Sequence, residues 1–303
     1  QHSCGLAMAD WRASPPRALL PFAIAIAASI LWTRRRSRRA ASATPLVGVL
    51  GGLGPAASAL LTRLVVAEAE QRGARSDDEH ACFVLYQNPS LPNSRNAALG
   101  DGQSPQPGMA ATFRALVRAG CTEVCVCCNT AHPFARAAAE EVGVAFLDMI
   151  EATAHAALLQ LCEDDRGAQL IIGLLATDAT IRMGLYQTAV AKAAAQLTGC
   201  SDRVRVLVPP DDSIAGLQQC ILDIKAGQHV GVGARIEQIA NELVVHGAQC
   251  IITGCTELPV CFSAESYPAF PAPIVNPVQT LAAAIVQRSH NGNLGMHARS
   301  RLG

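Results

Sequence analysis

The chain has 303 residues, of which half are apolar and 16% are charged. This composition excludes a disordered protein and supplies enough apolar side chains for one large domain or two ordinary ones. Aromatic residues make up only 4%, and the net charge of zero divides into +6 for residues 1–45 and −6 for the rest. A nucleic-acid partner is therefore not expected.

Residues 1–45 are interpreted as a disordered targeting or anchor segment that is separate from the fold. An apolar run from Ala18 to Trp32 is followed by five Arg within residues 34–39. The run is shorter than the roughly 20 residues that span a bilayer. Such a pattern is typical of signal and transit peptides or of a short anchor. We expect it to direct the protein to an organelle, such as a plastid, or to contact a membrane through residues 18–32.

The rest of the chain alternates short apolar strands with helices. Strands are predicted at 45–50, 81–86, 123–128, 144–147, 170–174, 204–208, 250–253 and 274–275. Helices are predicted at 56–72, 109–119, 133–142, 150–162, 180–197, 213–226, 234–246 and 278–287. Because β and α segments alternate, the sequence predicts an α/β fold with parallel sheets covered by helices.

An internal repeat divides this α/β region. Gly48 and Gly173 lie in similar strands 125 residues apart, and Cys128 and Cys255 lie in similar strand ends 127 residues apart. The repeat predicts two similar halves related by a pseudo-twofold axis, one comprising 46–148 and 274–303 and the other 149–273. Ligands bind beyond the carboxyl ends of parallel strands. The two cysteines are therefore expected to meet in a cleft between the halves.

A glycine loop, Gly51-Gly-Leu-Gly-Pro55, connects the first strand to the first helix. Its N–H groups, with the helix N-terminus, can bind an anion, which makes Gly52 a candidate binding residue. The loop lacks the glycine spacing of a dinucleotide site and the Lys of a P-loop. It therefore favours a small carboxylate over a nucleotide.

Most of the twelve Cys are interpreted as free core thiols in a reducing compartment. Cys128 and Cys255 differ, because each lies between a strand and a helix, where the helix dipole is expected to lower the thiol pKa. A redox pair of Cys125 with Cys128 is disfavoured because residues three apart in a strand face opposite sides. A zinc site is disfavoured because Cys128 and His132 alone supply too few ligands.

Six motifs then resemble one family. They are Gly51-Gly-Leu-Gly-Pro, Asn88-Pro-Ser-Leu-Pro, Cys128-Asn-Thr-Ala-His, Gly173-Leu-Leu-Ala-Thr-Asp-Ala-Thr-Ile with Tyr186, Lys225-Ala-Gly and Gly254-Cys-Thr-Glu-Leu-Pro. From about Val47 to Val286 the chain resembles the aspartate/glutamate racemase superfamily. Glu257 stands where glutamate racemases usually have His, so the resemblance is to the aspartate racemase branch.

The resemblance implies a cofactor-independent racemase that acts on a small amino acid and forms a homodimer. It implies that Cys128 and Cys255 are the two acid/base residues. Substrate-binding residues would be Gly52, Asn129, Thr130, Ala131 and Thr256, with Arg95 and Lys225 holding the side-chain carboxylate. The family usually reads Pro-Asp-Arg-Thr where this chain has Pro-Asn-Ser-Arg95-Asn, so the Arg is displaced by one residue. It commonly has Asp-Pro-Thr where this chain has Asn276-Pro-Val.

The expected chemistry agrees with these residue types. Inversion of an α-carbon requires one group that removes a proton and one on the opposite face that delivers a proton. A pyridoxal enzyme needs a Schiff-base Lys, and the only two, Lys192 and Lys225, lie in no recognisable cofactor loop. We expect an aspartate or glutamate racemase. The alternatives are a hydantoin racemase, a maleate isomerase, a decarboxylase, a non-catalytic dicarboxylate binder and a membrane-tethered structural module.

Overall fold

A computed structural model describes residues 45–162, 169–197 and 203–300. The predicted targeting segment, except Pro45, lies outside the described residues. Within these residues the strands are β1 Val47–Gly51, β2 Phe83–Gln87, β3 Glu123–Val126, β4 Ala145–Phe146, β5 Leu170–Leu175, β6 Val204–Leu207, β7 Cys250–Thr253 and β8 Ile274–Val275. The helices are α1 Pro55–Gln71, α2 Ser94–Leu99, α3 Gln106–Arg118, α4 His132–Val142, α5 Met149–Cys162, α6 Asp178–Arg182, α7 Leu185–Leu197, α8 Asp211–Lys225, α9 Val232–Val245 and α10 Pro277–Ser300.

The strands form two four-stranded parallel sheets, which confirms the predicted α/β class. The first has the order β2-β1-β3-β4 and the second has the order β6-β5-β7-β8. Counted from its own first strand, each sheet therefore has the order 2-1-3-4. The inner strands β1, β3 and β7 are buried along their whole length, as expected for parallel sheets covered by helices.

The last strand and the last helix belong to different halves. The sequence placed 274–275 in the first half, and this is wrong, because β8 pairs with β7 in the second sheet. Helix α10 does return to the first half, where Leu281 and Ile285 share a buried cluster with Val49 and Leu61. In the same way, α5 follows the last strand of the first sheet and packs in the core of the second half. The first half is hereafter β1–β4 with α1–α4 and α10, and the second is α5–β8.

Two differences in element bounds affect the site. Strand β3 ends at Val126 rather than at residue 128, so Cys128 lies in the loop before α4. The predicted helix 180–197 consists of α6 and α7, which are separated at Gly184 with φ of +63°. The short helix α2 was not predicted; Asn93 caps it by accepting hydrogen bonds from the N–H groups of residues 95 and 96. Within the described part of the chain, none of the helices combines the length and apolarity needed to cross a bilayer.

Candidate active site

A cavity of about 780 Å³ lies between the two halves, where the loops that follow the strands meet. The first half contributes the glycine loop, parts of the segment 89–96 and Cys128–Thr130. The second half contributes Thr177, the carboxyl-terminal part of α8 and Cys255–Glu257. The structure thus places both cysteines at one cavity, as expected from the repeat and from the position of ligands at strand ends.

Eight of the nine predicted site residues line this cavity. They are Gly52, Arg95, Cys128, Asn129, Thr130, Lys225, Cys255 and Thr256. The ninth, Ala131, is buried and does not line the cavity, but its backbone N–H interacts with the Cys128 thiol. Its contact with the site is therefore made by the main chain.

The segment after β3 holds Cys128 and Asn129 in place. Cys128 is 9% exposed, and the N–H groups of Thr130 and Ala131 point to its sulfur. The Tyr186 hydroxyl donates to Asn129 Oδ1 at 2.8 Å. Since Tyr186 holds the oxygen of this amide, Asn129 Nδ2 is left buried and without a hydrogen-bond partner. A buried unpaired donor is costly, so this amide is a strong candidate for contact with a ligand oxygen.

Threonine hydroxyls connect the Cys128 loop to the second half. Thr130 Oγ1 lies 2.9 Å from both Thr177 Oγ1 and Thr180 Oγ1, and the last two are also 2.9 Å apart. All three side chains are buried. The hydroxyl of Thr130 is therefore engaged within the protein, where it fixes the loop against α6.

Cys255 is linked to two charged groups. Its thiol donates to Glu257 Oε2 at 3.2 Å, and Lys225 Nζ donates to Glu257 Oε1 at 3.0 Å and to the Leu53 carbonyl at 3.4 Å. The Glu257 side chain is only 3% exposed. In the sequence analysis Glu257 served only to distinguish the branches of the family, and its contact with Cys255 was not predicted. An acidic residue two positions after a candidate base was the available signal.

The glycine loop has a steric role that the sequence did not reveal. A Cβ at Gly54 would overlap the Glu257 carboxylate, so only glycine leaves room for that side chain. Gly52 has φ of +91°, and a Cβ there would lie 2.7 Å from the backbone N of Asn88. The N–H of Gly52 donates to Ser58 Oγ at 3.0 Å. The loop is thus built for close packing, and one of its N–H groups is already satisfied.

The expectation that the helix end lowers the thiol pKa is wrong for both cysteines. Burial, followed by the charge of Glu257, raises the pKa of Cys128 to about 11 and raises the pKa of Cys255 well above its ordinary value. Lys225 and nearby backbone N–H groups lower both pKa values, but by less. Desolvation disfavours the thiolate more than the loop N–H groups favour it. Both thiols are therefore protonated at neutral pH.

Arg95 reaches the cavity from α2 and binds a carboxylate of the other half. Its Nε donates to Asp178 Oδ1 at 2.7 Å and its Nη2 donates to Asp178 Oδ2 at 2.6 Å. Burial alone would raise the pKa of Asp178, but Arg95 and the N–H of Ala179 lower it overall. The guanidinium predicted to hold a substrate is thus paired with a protein carboxylate.

The two cysteines of the rival redox pair lie on opposite faces of β3. Cys125 packs in the cluster that contains Val47 and Met149, whereas Cys128 packs with Val124 and Val126 on the other face of the sheet. The two thiols therefore point apart. Among the described residues there is no group of three or more His, Cys, Asp or Glu side chains placed to hold a metal ion.

Comparison with known proteins points to one family. The family model described as Asp/Glu/Hydantoin racemase matches residues 50–285. A curated relative, an uncharacterised protein from Pectobacterium carotovorum, is 29% identical over 94 residues, which is 31% of this chain and 57% of that protein. The alignment therefore spans little more than half of the relative's length.

Solved structures show the same fold. An aspartate racemase from Picrophilus torridus is 24% identical with a TM-score of 0.65, over 81% of this chain and 94% of that chain. An aspartate racemase homologue from Pyrococcus horikoshii is 17% identical with a TM-score of 0.61, over 81% and 99%. A glutamate racemase from Francisella tularensis, solved with D-glutamate, is 17% identical with a TM-score of 0.54, over 83% of both chains.

Proposed function

The chain belongs to the Asp/Glu/Hydantoin racemase family, and we propose that it is a cofactor-independent racemase of a small acidic amino acid, aspartate in the first place. The observation that carries the proposal is the placement of Cys128 and Cys255. Each follows the third strand of its own sheet, and both line one cavity between the halves. Two ionisable groups presented from opposite sides are what inversion of an α-carbon requires.

In the proposed reaction, the α-carbon lies between the two sulfurs. One thiolate removes the α-proton, and the opposite thiol delivers a proton to the other face; the reverse direction exchanges the two roles. Because burial keeps both thiols protonated at neutral pH, one must first lose its proton. Glu257 is the acceptor for Cys255, since the thiol already donates to Oε2. Lys225, whose charge lowers both thiol pKa values, stabilises the thiolate that results.

The carbanion needs stabilisation at the substrate's α-carboxylate. Asn129 Nδ2 is a buried donor without a protein partner, and its orientation is fixed by Tyr186 before a ligand arrives. Preorganised donors of this kind stabilise developing negative charge without reorganising during the reaction. We therefore assign Asn129 to the α-carboxylate.

The side chain of the substrate is assigned from the cations. Arg95 of the first half and Lys225 of the second both line the cavity. An Arg fork and an ammonium are suited to a second carboxylate. Glu257 in place of the His usual in glutamate racemases favours aspartate over glutamate. We expect the active form to be a homodimer.

The test is turnover of L- and D-aspartate and of L- and D-glutamate, followed by circular dichroism without pyridoxal phosphate. Cys128→Ala and Cys255→Ala should each abolish racemisation. Cys125→Ala, a buried thiol on the other face of β3, serves as the matched control and should retain it. Exchange of the α-proton with deuterium separates a racemase from a non-catalytic binder. Full racemisation by either single-cysteine variant would refute the two-base mechanism.

A further inference from the structure

The ion pair between Arg95 and Asp178 joins the two halves at the edge of the cavity. Arg95 lies on α2 of the first half and Asp178 is the first residue of α6 in the second. The two side chains are 35% and 19% exposed, so water reaches the pair. The bidentate contact is thus partly exposed to solvent, and another carboxylate can replace Asp178 as the partner of Arg95.

The cavity's two cations are each paired with a protein carboxylate, Arg95 with Asp178 and Lys225 with Glu257. The two carboxylates differ in what else they touch. Glu257 also accepts from the Cys255 thiol, so it is tied to the chemistry. Asp178 accepts hydrogen bonds from Arg95 and from the N–H of Ala179, and neither of these donors is a cysteine thiol. Its charge acts on the cavity through Arg95.

We propose that Asp178 is a specificity-determining residue that competes with the substrate's side-chain carboxylate for Arg95. A guanidinium binds a carboxylate bidentately through one edge, and Asp178 occupies the edge formed by Nε and Nη2. A dicarboxylate ligand must take that edge from Asp178, or bind the remaining N–H groups of an already neutralised cation. Either way, Asp178 weakens the binding of dicarboxylates, and its loss strengthens it.

Binding by exchange also changes the contact between the halves. When Arg95 turns from Asp178 to a ligand, the α2–α6 ion pair is lost and the ligand takes its place between the halves. A ligand without a second carboxylate leaves the pair intact. Asp178 thus weakens the binding of ligands with acidic side chains and does not affect the binding of ligands with neutral ones. This inference rests on the proposed function only in taking the ligand to be a dicarboxylate.

The experiment measures the Kd of succinate by calorimetry. Succinate carries two carboxylates and no α-amino group, so its binding reports on the site without racemisation. Asp178→Asn keeps the shape of the side chain and should tighten binding about fivefold, the equivalent of about 1 kcal/mol for a partly exposed ion pair. Glu141→Gln is the control. Glu141 forms an ion pair with Arg114 at 2.7 Å, and neither residue lines the cavity. Glu141→Gln changes the net charge by the same amount as Asp178→Asn, and the Kd of succinate should not change.

A double-mutant cycle tests whether the effect passes through Arg95. Arg95→Leu should weaken succinate binding, and Asp178→Asn should give no gain when Arg95 is absent. Weaker or unchanged binding in Asp178→Asn would overturn the proposal, as would a gain that persists in the double variant. Thermal melts establish folding, and Asp178→Ser replaces Asp178→Asn if that variant does not fold.

The two proposals fail separately. If the succinate pattern appears but no amino acid is racemised, the role of Asp178 stands and the proposed function falls. If aspartate is racemised and the succinate pattern is absent, the proposed function stands and the role of Asp178 falls.

Discussion

Replacing Glu257 by Gln tests the link between Cys255 and its carboxylate. The substitution retains the size of the side chain that fits against Gly54, and it removes the charge that accepts from Cys255 and pairs with Lys225. If Glu257 receives the Cys255 proton, the variant loses its proton acceptor. If Glu257 only fills space, racemisation is unaffected.

The size of the effect follows from the geometry. A thiolate and a carboxylate separated by 3.2 Å repel by about 5 kcal/mol at an effective dielectric constant of about 20. In the proposed mechanism Cys255 therefore ionises by passing its proton to Glu257, so that the pair carries a single negative charge. Positioned proton transfer contributes about 10²–10⁴-fold to a rate. We expect kcat/KM to fall by about 10²-fold, which is about 2.7 kcal/mol of barrier.

The fall must be the same in both directions. The two enantiomers have equal free energies in water, so kcat/KM for the L and D substrates must stay equal in every variant. Their kcat values can differ, because Glu257 contacts Cys255 on one side of the site. Circular-dichroism progress curves from each enantiomer give both quantities.

The same variant should be more reactive towards an alkylating agent. The charge of Glu257 raises the pKa of both Cys128 and Cys255, and Lys225 lowers both. Removing the carboxylate and leaving the ammonium lowers both thiol pKa values, so the pH profile of iodoacetamide inactivation should move to lower pH. Glu265→Gln is the control, since Glu265 is exposed and lies 3.8 Å from Arg63. Full racemisation by Glu257→Gln, or a profile moved to higher pH, would refute the reasoning.

Three further predictions follow from the same contacts. Gly54→Ala should displace the Glu257 carboxylate and reduce kcat/KM about as much as Glu257→Gln; an unchanged kcat/KM would contradict the steric role. Burial and Arg136 lower the pKa of His132 to about 3, although Asp148 Oδ1 lies 2.8 Å from its Nε2. Below about pH 6.5 the unfolded state therefore binds a proton that the native state does not bind. Between pH 6.5 and 5 the wild type should therefore lose about 1–2 kcal/mol of unfolding free energy that His132→Gln does not lose, measured by urea titration. Residues 1–45 fused to a fluorescent reporter should move it to an organelle or a membrane fraction; a diffuse cytosolic signal would contradict the targeting interpretation.

The sequence was sufficient for the parts of the site that depend on local pattern. Alternating strands and helices predict parallel sheets, and the carboxyl ends of β3 and β7 are where Cys128 and Cys255 lie. The sheet that a two-residue strand joins is not a local property. The apolar residues Ile274–Val275 would suit either sheet. Their pairing with β7 depends on how the chain crosses between the halves.

The prediction that the thiol pKa values are lowered was wrong for a related reason. A helix N-terminus can be inferred from the residues around Cys128, and the N–H groups of Thr130 and Ala131 do lower its pKa. Burial depends on side chains that are distant in sequence, such as Leu50 and Phe113 in the cluster that contains Cys128, and its opposing effect is larger. A local motif therefore indicates the sign of one contribution and omits the one that decides the result.

Long-range pairs were invisible for the same reason, and they decide the electrostatics of the site. Asp178 lies 83 residues from Arg95 in sequence, and Glu257 lies 32 residues from Lys225. The sequence alone suggests that Arg95 and Lys225 are available to bind a dianionic substrate. In the folded chain each of them is paired with a protein carboxylate. In the proposed mechanism, a substrate that brings its own carboxylates therefore competes with those of the protein, and its ammonium group favours the thiolate that burial disfavours. The proposed mechanism therefore makes the charges of the ligand part of what activates the two cysteines.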